Sequence, residues 1–207
     1  ESLLLRHPLM GPKVRSTRSP EEDDLLSMGA QALYVEHPND PSNRLKPAPE
    51  ILAHRLGPYL EKLFIKTFVV GLHAPHLRAS ASEWEKGLQK TLDLVHPSPD
   101  GHNWFIIAQG LPLECPFSKR KLTAPVPVAS FLRHIKRPGS DTLDFKDDEH
   151  ALTVWNGQYL YPWHARSNVS PLDSKRDPVG YFTFHQNKWY LVNQSNADML
   201  LVDQPDY

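Results

Sequence analysis

The sequence predicts an α+β protein: helical to about residue 95, then a short knuckle, then a small antiparallel β sandwich from about residue 124. Three observations carry that division. Residues 80–95 open on a helix-capping signature and continue with apolar side chains at helical spacing. Prolines, two histidines and the single cysteine crowd the next stretch around one short strand-like run. Beyond residue 150, aromatic and β-branched runs alternate with turn dipeptides, which is the grammar of hairpins.

Composition bounds the functions available. The 207 residues suffice for one large or two small domains. Hydrophobic residues at 40% and charged residues at 23% give the balance of a chain that can bury a core. A formal net charge of −1 supplies no bulk attraction for nucleic acid or an anionic membrane, so neither is expected as a partner. Twenty prolines against ten glycines mark loops between packed units. One cysteine, Cys115, leaves no internal disulfide and suits a reducing, cytoplasmic compartment. No apolar run approaches the roughly 18–20 residues that span a bilayer.

The helices follow in order. Residues 1–5 read as a last helical turn stopped at His7-Pro8, and residues 9–18 as a basic loop. Ser19-Pro20-Glu21-Glu22 is a helix start: Ser as N-cap, Pro at the first position, Glu at the third. That helix is expected to run to about residue 35, with Leu25, Met28, Ala32 and Leu33 inward. Residues 37–44 are too rich in turn formers for regular structure. A short helix is expected over residues 49–56. A longer one follows from Gly57-Pro58, with Leu60, Leu63, Phe64, Thr67, Phe68 and Leu72 on one side. Ser80, with Glu83 three residues on, opens the next, whose inward stripe is expected at Trp84, Leu88, Leu92 and Val95.

Residues 96–123 hold the best chemical constellation. His96 and His102 flank a turn before the strand-like residues 103–107, and Cys115-Pro116-Phe117-Ser118 follows. Tetrahedral zinc takes four N or S donors from two such turns, so His96, His102 and Cys115 are the candidate ligands. Ser118 is a poor fourth ligand. A metal-free knuckle held by Trp104, Phe105, Phe117 and Leu122 is therefore preferred over bound zinc.

After it, residues 128–135 read as strand or short helix, and 140–149 as acidic and turn-like. Residues 151–155 and 158–161 read as a hairpin across Asn156-Gly157 with a type I′ turn. Residues 180–185 and 188–193 read as a second hairpin across Gln186-Asn187, and 198–202 add a candidate strand.

Several motifs now carry a resemblance. Leu4-Leu5-Arg6-His7-Pro8-Leu9-Met10-Gly11 resembles the end of the long central helix in a protein-kinase large lobe. Arg78-Ala79-Ser80-Ala81-Ser82-Glu83-Trp84 resembles the R-P-S/T-A-x-E-W segment that opens that lobe's last helix, with Ala79 in place of the usual proline. Leu33-Tyr34-Val35-Glu36-His37-Pro38, with Asp40, Ser42, Asn43 and Arg44, resembles a branch of bacterial Ser/Thr kinases found in tellurite-resistance-type phosphorylation triads. Gly157, Leu160, Tyr161, Trp163 and His164, then Pro178, Gly180, Tyr181, Phe184, His185, Lys188, Trp189, Leu191 and Asn193, resemble the C-terminal module of the same kinases.

The resemblance implies a large-lobe end over 1–95, a degenerate zinc-ribbon-like knuckle over 96–123, and an all-β accessory domain over 124–207. In that family the knuckle ends in a cysteine where Ser118 stands. The strand order hints at a forkhead-associated (FHA) sandwich, whose phosphothreonine site would fall to Arg166 and Ser167 through a charge-assisted pair. The implied partners are a von Willebrand A-domain protein and a PP2C-type phosphatase. ATP and Mg²⁺ are implied for the full-length kinase only. The Gly-rich loop, phosphate-pairing Lys, catalytic-loop Asp and metal-binding Asp of phosphoryl transfer do not occur in these residues, so no catalytic residue is assigned. Two readings stand: a C-terminal fragment of a kinase whose catalytic motifs lie upstream, or a non-catalytic protein- or phosphopeptide-binding module.

Overall fold

The computed structural model describes residues 3–15, 18–49, 51–135, 144–166, 169–171 and 177–194. Helices and small antiparallel sheets are both present, so the class is α+β. The chain divides into two compact units, Glu1–Thr123 and Ala124–Tyr207.

In the first unit a single turn, α1 (Pro12–Arg15), precedes α2 (Pro20–Ser27). Ser19 caps α2 as its sequence requires, its Oγ accepting from Glu22 N (3.2 Å). The helix stops a full two turns before the expected residue 35. Gly29 N–H reaches back to Asp24 O (2.8 Å), a six-to-one closure that ends helices. Leu25 and Met28 are consequently exposed, and the chain enters the core extended, where Tyr34 and Val35 are fully buried. Val35 N–H is satisfied by Pro8 O (2.9 Å).

The turn-rich segment after it is held by buried polar bonds. Asn43 is 1% exposed. Its Nδ2 donates to Leu9 O (2.9 Å) and Leu33 O (2.7 Å), and its Oδ1 accepts from Lys13 N (3.1 Å). Glu36 joins two further strands of chain, accepting from the Arg6 guanidinium and from Ala53 N (2.8 Å). Each of these segments would otherwise carry buried, unpaired backbone groups.

Next come α3 (Gly57–Ile65), which loosens into a π-helical turn over Lys66–Val70, and α4 (Ala81–Leu92). Leu60, Leu63 and Phe64 form the core with Leu4, Tyr34, Val35 and Ala53. An aromatic chain runs through it: Tyr34 stacks on Phe68 (5.6 Å), Phe68 on Phe64 (5.9 Å), and Phe64 meets Trp84 edge-on (5.2 Å). Burying Leu60 alone is worth about 2 kcal/mol. The Tyr34 hydroxyl is buried without a hydrogen-bond partner, and burial pushes its pKa up.

At α4 the capping box forms in full: Ser80 Oγ accepts from Glu83 N (3.3 Å) and Glu83 Oε2 from Ser80 N (2.9 Å). Its inward stripe is not the expected one. Leu88 is 42% and Leu92 71% exposed, whereas Gly87, Thr91 and, just past the helix, Leu94 are buried. The stripe runs 84, 87, 91, 94, because small residues let α4 lie close against α3. A Cβ on Gly87 would stand 2.5 Å from Leu63 Cδ1.

Glu83 also accepts from the Lys66 ammonium (2.5 Å), which, with Ser80 N–H, lowers its carboxyl from an ordinary value of 4.5 to about 2. A depressed carboxyl stabilises the fold fully above its unfolded value and loses that contribution as pH falls through the folded one. The difference in thermal midpoint between wild type and Glu83→Gln is therefore expected to be constant at neutral pH and to shrink between about pH 5 and about pH 2. Because the pair is exposed, added salt should narrow it too. A gap that ignores both pH and salt would rule out this role for the carboxylate.

In the second unit β3 (Val128–Ile135) pairs antiparallel with β4 (Asp144–Thr153), while β1 (Val95–Pro97) and β2 (Trp104–Ile106) belong to the first unit. Residues 144–149 are thus strand, not turn, and residues 140–143 lie outside the described set. One of the strand's acids, Asp148, is paired across the ladder: Arg133 donates to it through two nitrogens.

The expected hairpin across Asn156-Gly157 is absent. β5 (Tyr159–Leu160) pairs with β6 (Gly180–His185), and β6 with β7 (Lys188–Asn193). A type I′ turn needs positive φ at both central residues, and only Gly157 has it (φ 97°). Asn156 instead spends its Oδ1 on Phe184 N (3.0 Å) and Thr183 Oγ1 (3.2 Å), handing the chain from one sheet to the other. The second hairpin forms as read: Gln186 and Asn187 have φ 48° and 64°. Leu152, Leu160 and Val179 form the core between the sheets, with Ala129, Phe131 and Phe182 packed on it. The candidate strand at 198–202 lies outside the described residues.

Candidate functional site

β1 and β2 form a two-stranded ribbon in which His96 faces Phe105 across the pair. His96 is half-buried. Its Nδ1–H donates to Pro97 O (2.6 Å), and burial first, against that bond, lowers its pKa. His102 is exposed, with its backbone N–H on Asp100 Oδ1 (3.2 Å). Cys115 is fully buried. The side-chain donor atoms of His96, His102 and Cys115 do not all lie within 4.8 Å of one another. Of the side chains expected to hold the knuckle, Phe105 is buried, but Trp104 and Phe117 are exposed.

Ser118 meets Cys115, Asp100 acts on it electrostatically, and Ser98 is bonded to Asp100. Asp100 accepts from the Ser98 hydroxyl and from His102 N–H. Those bonds, chiefly the Ser98 one, hold its carboxyl below the usual range, and the Ser118 hydroxyl and the Arg120 guanidinium (3.9 Å from Oδ2) add to them. Ser118 N–H donates to Cys115 Sγ (3.5 Å). Burial alone would raise the Cys115 thiol; the Ser118 hydroxyl, then the amides of Ser118 and Phe117, outweigh it and bring the thiol below its ordinary value. The buried Ser118 Oγ makes no hydrogen bond of ordinary geometry.

As a zinc site this donor set does not fit. Cys115 and Asp100 are good ligands, but two neutral serine hydroxyls are not. What could have revealed the set is a repeated pattern: Ser98-Pro99-Asp100-Gly101 and Cys115-Pro116-Phe117-Ser118 both place a small polar residue before proline at the start of a turn.

Two further positions from the resembling motifs are Arg78, in the segment that resembles the opening of the last large-lobe helix, and the phosphothreonine candidates Arg166 and Ser167. Arg78 is fixed at the start of α4, its Nε donating to Gly71 O (2.8 Å) and an Nη to Leu72 O (2.8 Å). It meets no carboxylate among the described residues. In the second unit Arg166 is exposed immediately after α5 (Pro162–Ala165), its backbone N–H closing on Pro162 O (2.9 Å). Ser167 lies outside the described residues.

Near it, Tyr161 stacks on Trp163 (4.4 Å, 9°), and the buried His164 accepts Tyr161 N–H at Nδ1 (3.1 Å). His164 and Trp163 are thus packed in place, while His185 and Trp189 stand exposed on the β6–β7 hairpin. No described helix is long and apolar enough to cross a membrane. No protein-family model, curated protein or solved structure matches the chain.

Proposed function

We propose that the chain is the C-terminal part of a bacterial Ser/Thr protein kinase, supplying large-lobe scaffold and partner binding while ATP, Mg²⁺ and the catalytic motifs belong to sequence upstream. Arg78 is the observation that supports this reading. Two backbone carbonyls pin its guanidinium at the head of a capped helix, leaving it placed to receive a carboxylate that the described residues do not provide. In a kinase large lobe that carboxylate comes from the end of the activation segment. The partners are a von Willebrand A-domain protein and a PP2C-type phosphatase, in the cytoplasm.

The reading frame upstream of Glu1 tests it. A Gly-rich loop, a catalytic-loop Asp and a metal-binding Asp are expected there, and the protein they belong to should transfer the γ-phosphate of ATP to Ser or Thr. In that protein Arg78→Ala should lower kcat. A start codon just before Glu1, with no such motifs, would sink the proposal.

A second reading, phosphopeptide binding by the β unit, is favoured by the exposure of Arg166. Titration of the full chain with phosphothreonine peptides decides it: binding lost in Arg166→Ala supports it, and equal binding by wild type and variant, or none, excludes it.

A further inference from the structure

Residues 44–52 run between two fixed points of the first unit. At one end Asn43 donates to the carbonyls of Leu9 and Leu33. At the other, Ala53 N–H donates to Glu36 Oε2 (2.8 Å), and the second oxygen of that carboxylate takes the Arg6 guanidinium. The segment between carries prolines at 47 and 49, which withhold backbone donors and resist regular structure. Between this tethered segment and the chain at Val35 and Glu36 lies a cavity of about 360 Å³.

Val35, Leu45, Ala48, Pro49 and Leu52 supply its apolar walls. Two charged residues complete the lining, and they differ in what they have left to offer. Glu36 has both oxygens committed, and its charge is matched by Arg6. Arg44 is exposed, spends one Nη on His37 O (3.3 Å), and meets no carboxylate among the described residues. Asp40, close to it in sequence, accepts instead from Ser42 N–H (2.9 Å).

The volume falls at the low end of small-molecule sites, about 300–1,000 Å³, whose walls are mostly apolar with a few placed polar groups. At roughly 30 Å³ per heavy atom, the share one water molecule takes in the liquid, it holds about twelve heavy atoms. We propose that this cavity binds an apolar monocarboxylate of that size, its hydrocarbon body against Val35, Leu45, Pro49 and Leu52 and its carboxylate on Arg44. A cation would be repelled by Arg44, and a neutral molecule would leave that guanidinium unused. A dianion would bring its second charge to a lining that already holds the Glu36 carboxylate. One carboxylate matches the one open guanidinium. The site involves neither Arg78 nor Arg166 and does not rest on the kinase reading.

Decanoate, which has that number of heavy atoms, is the probe. Titrated calorimetrically into the full chain at neutral pH, it is expected to bind one molecule per chain with a Kd of about 1 mM or tighter. It should also shift the methyl NMR signals of Val35, Leu45 and Leu52. Decanol and decylamine, with the same body and a neutral or positive head, should bind at least about five-fold more weakly. Arg44→Gln should reduce decanoate to the affinity of decanol, and Ala48→Trp, at an exposed wall position, should abolish binding. Equal affinity for decanoate and decylamine, decanoate binding that Ala48→Trp leaves intact, or no binding below about 5 mM overturns the inference. Self-association of the chain that Ala48→Trp removes overturns it too, because a second copy would then fill the cavity. If Arg44→Gln does not fold, as judged by far-ultraviolet circular dichroism, the comparison of head groups on wild type decides alone.

Discussion

Replacing Asn43 by alanine is expected to destabilise the first unit by about 3–5 kcal/mol, among the larger effects a single substitution can have. The side chain is buried and joins three stretches of backbone: Leu9 and Leu33 through their carbonyls, Lys13 through its amide. Alanine removes all three bonds at once: Leu33 O loses its buried donor, while Leu9 O keeps Gly11 N–H (3.1 Å), and a buried, unsatisfied group costs about 1–3 kcal/mol. Aspartate tests the chemistry separately from the size. It keeps the acceptor for Lys13 N–H but presents no donor to the two carbonyls, so it should be no better than alanine. The measurement is the urea midpoint at constant m-value, with hydrogen exchange over residues 9–35 as the local readout. A loss below about 1 kcal/mol would mean that these hydrogen bonds do not organise the loop.

A second large effect is expected on α4, in the direction opposite to what its sequence suggests. By hydropathy, Leu92 should matter and Gly87 should be a weak point in the helix. In the fold Leu92 is exposed, so Leu92→Ala should change stability by less than about 0.5 kcal/mol. Gly87 lies against the Leu63 and Leu60 side chains, where even a methyl group would come within 2.5 Å of Leu63 Cδ1. Gly87→Leu is therefore expected to cost roughly 2–3 kcal/mol by overpacking, despite leucine being much the better helix former. Thermal or chemical denaturation of the two variants side by side checks the ranking. If Leu92→Ala proves the more damaging, the close approach of α3 and α4 is wrong.

These two positions also show where sequence reading stops. Hydrophobic periodicity assigns a helix its inward face by assuming that large apolar side chains do the packing. On α4 the tight contact selects small residues, and Leu88 and Leu92 are displaced towards solvent. Asn43 is a polar residue in a turn-rich segment, the usual signature of a surface loop. Its importance comes from partners 10 to 34 positions away, which no local pattern reports. The knuckle follows the same logic. Histidine and cysteine stand out by residue type, yet the residue whose N–H meets Cys115 Sγ is Ser118, and the carboxylate that acts on that thiol is Asp100, from a separate turn.

By itself the sequence determined what rests on contacts within a few residues. The caps at Ser19 and Ser80 close on amides three positions ahead, and the Gln186-Asn187 turn sets its own backbone angles. The α+β class followed from such elements in series. The tertiary structure alone decided which side of α4 is buried, and that β5 pairs with β6 rather than closing on β4. The reason is physical. A cap or tight turn gains its hydrogen bonds locally, whatever surrounds it, whereas Asn156-Gly157 was free to form a hairpin until Phe184 N–H, 28 residues on, offered the Asn156 side chain a better partner.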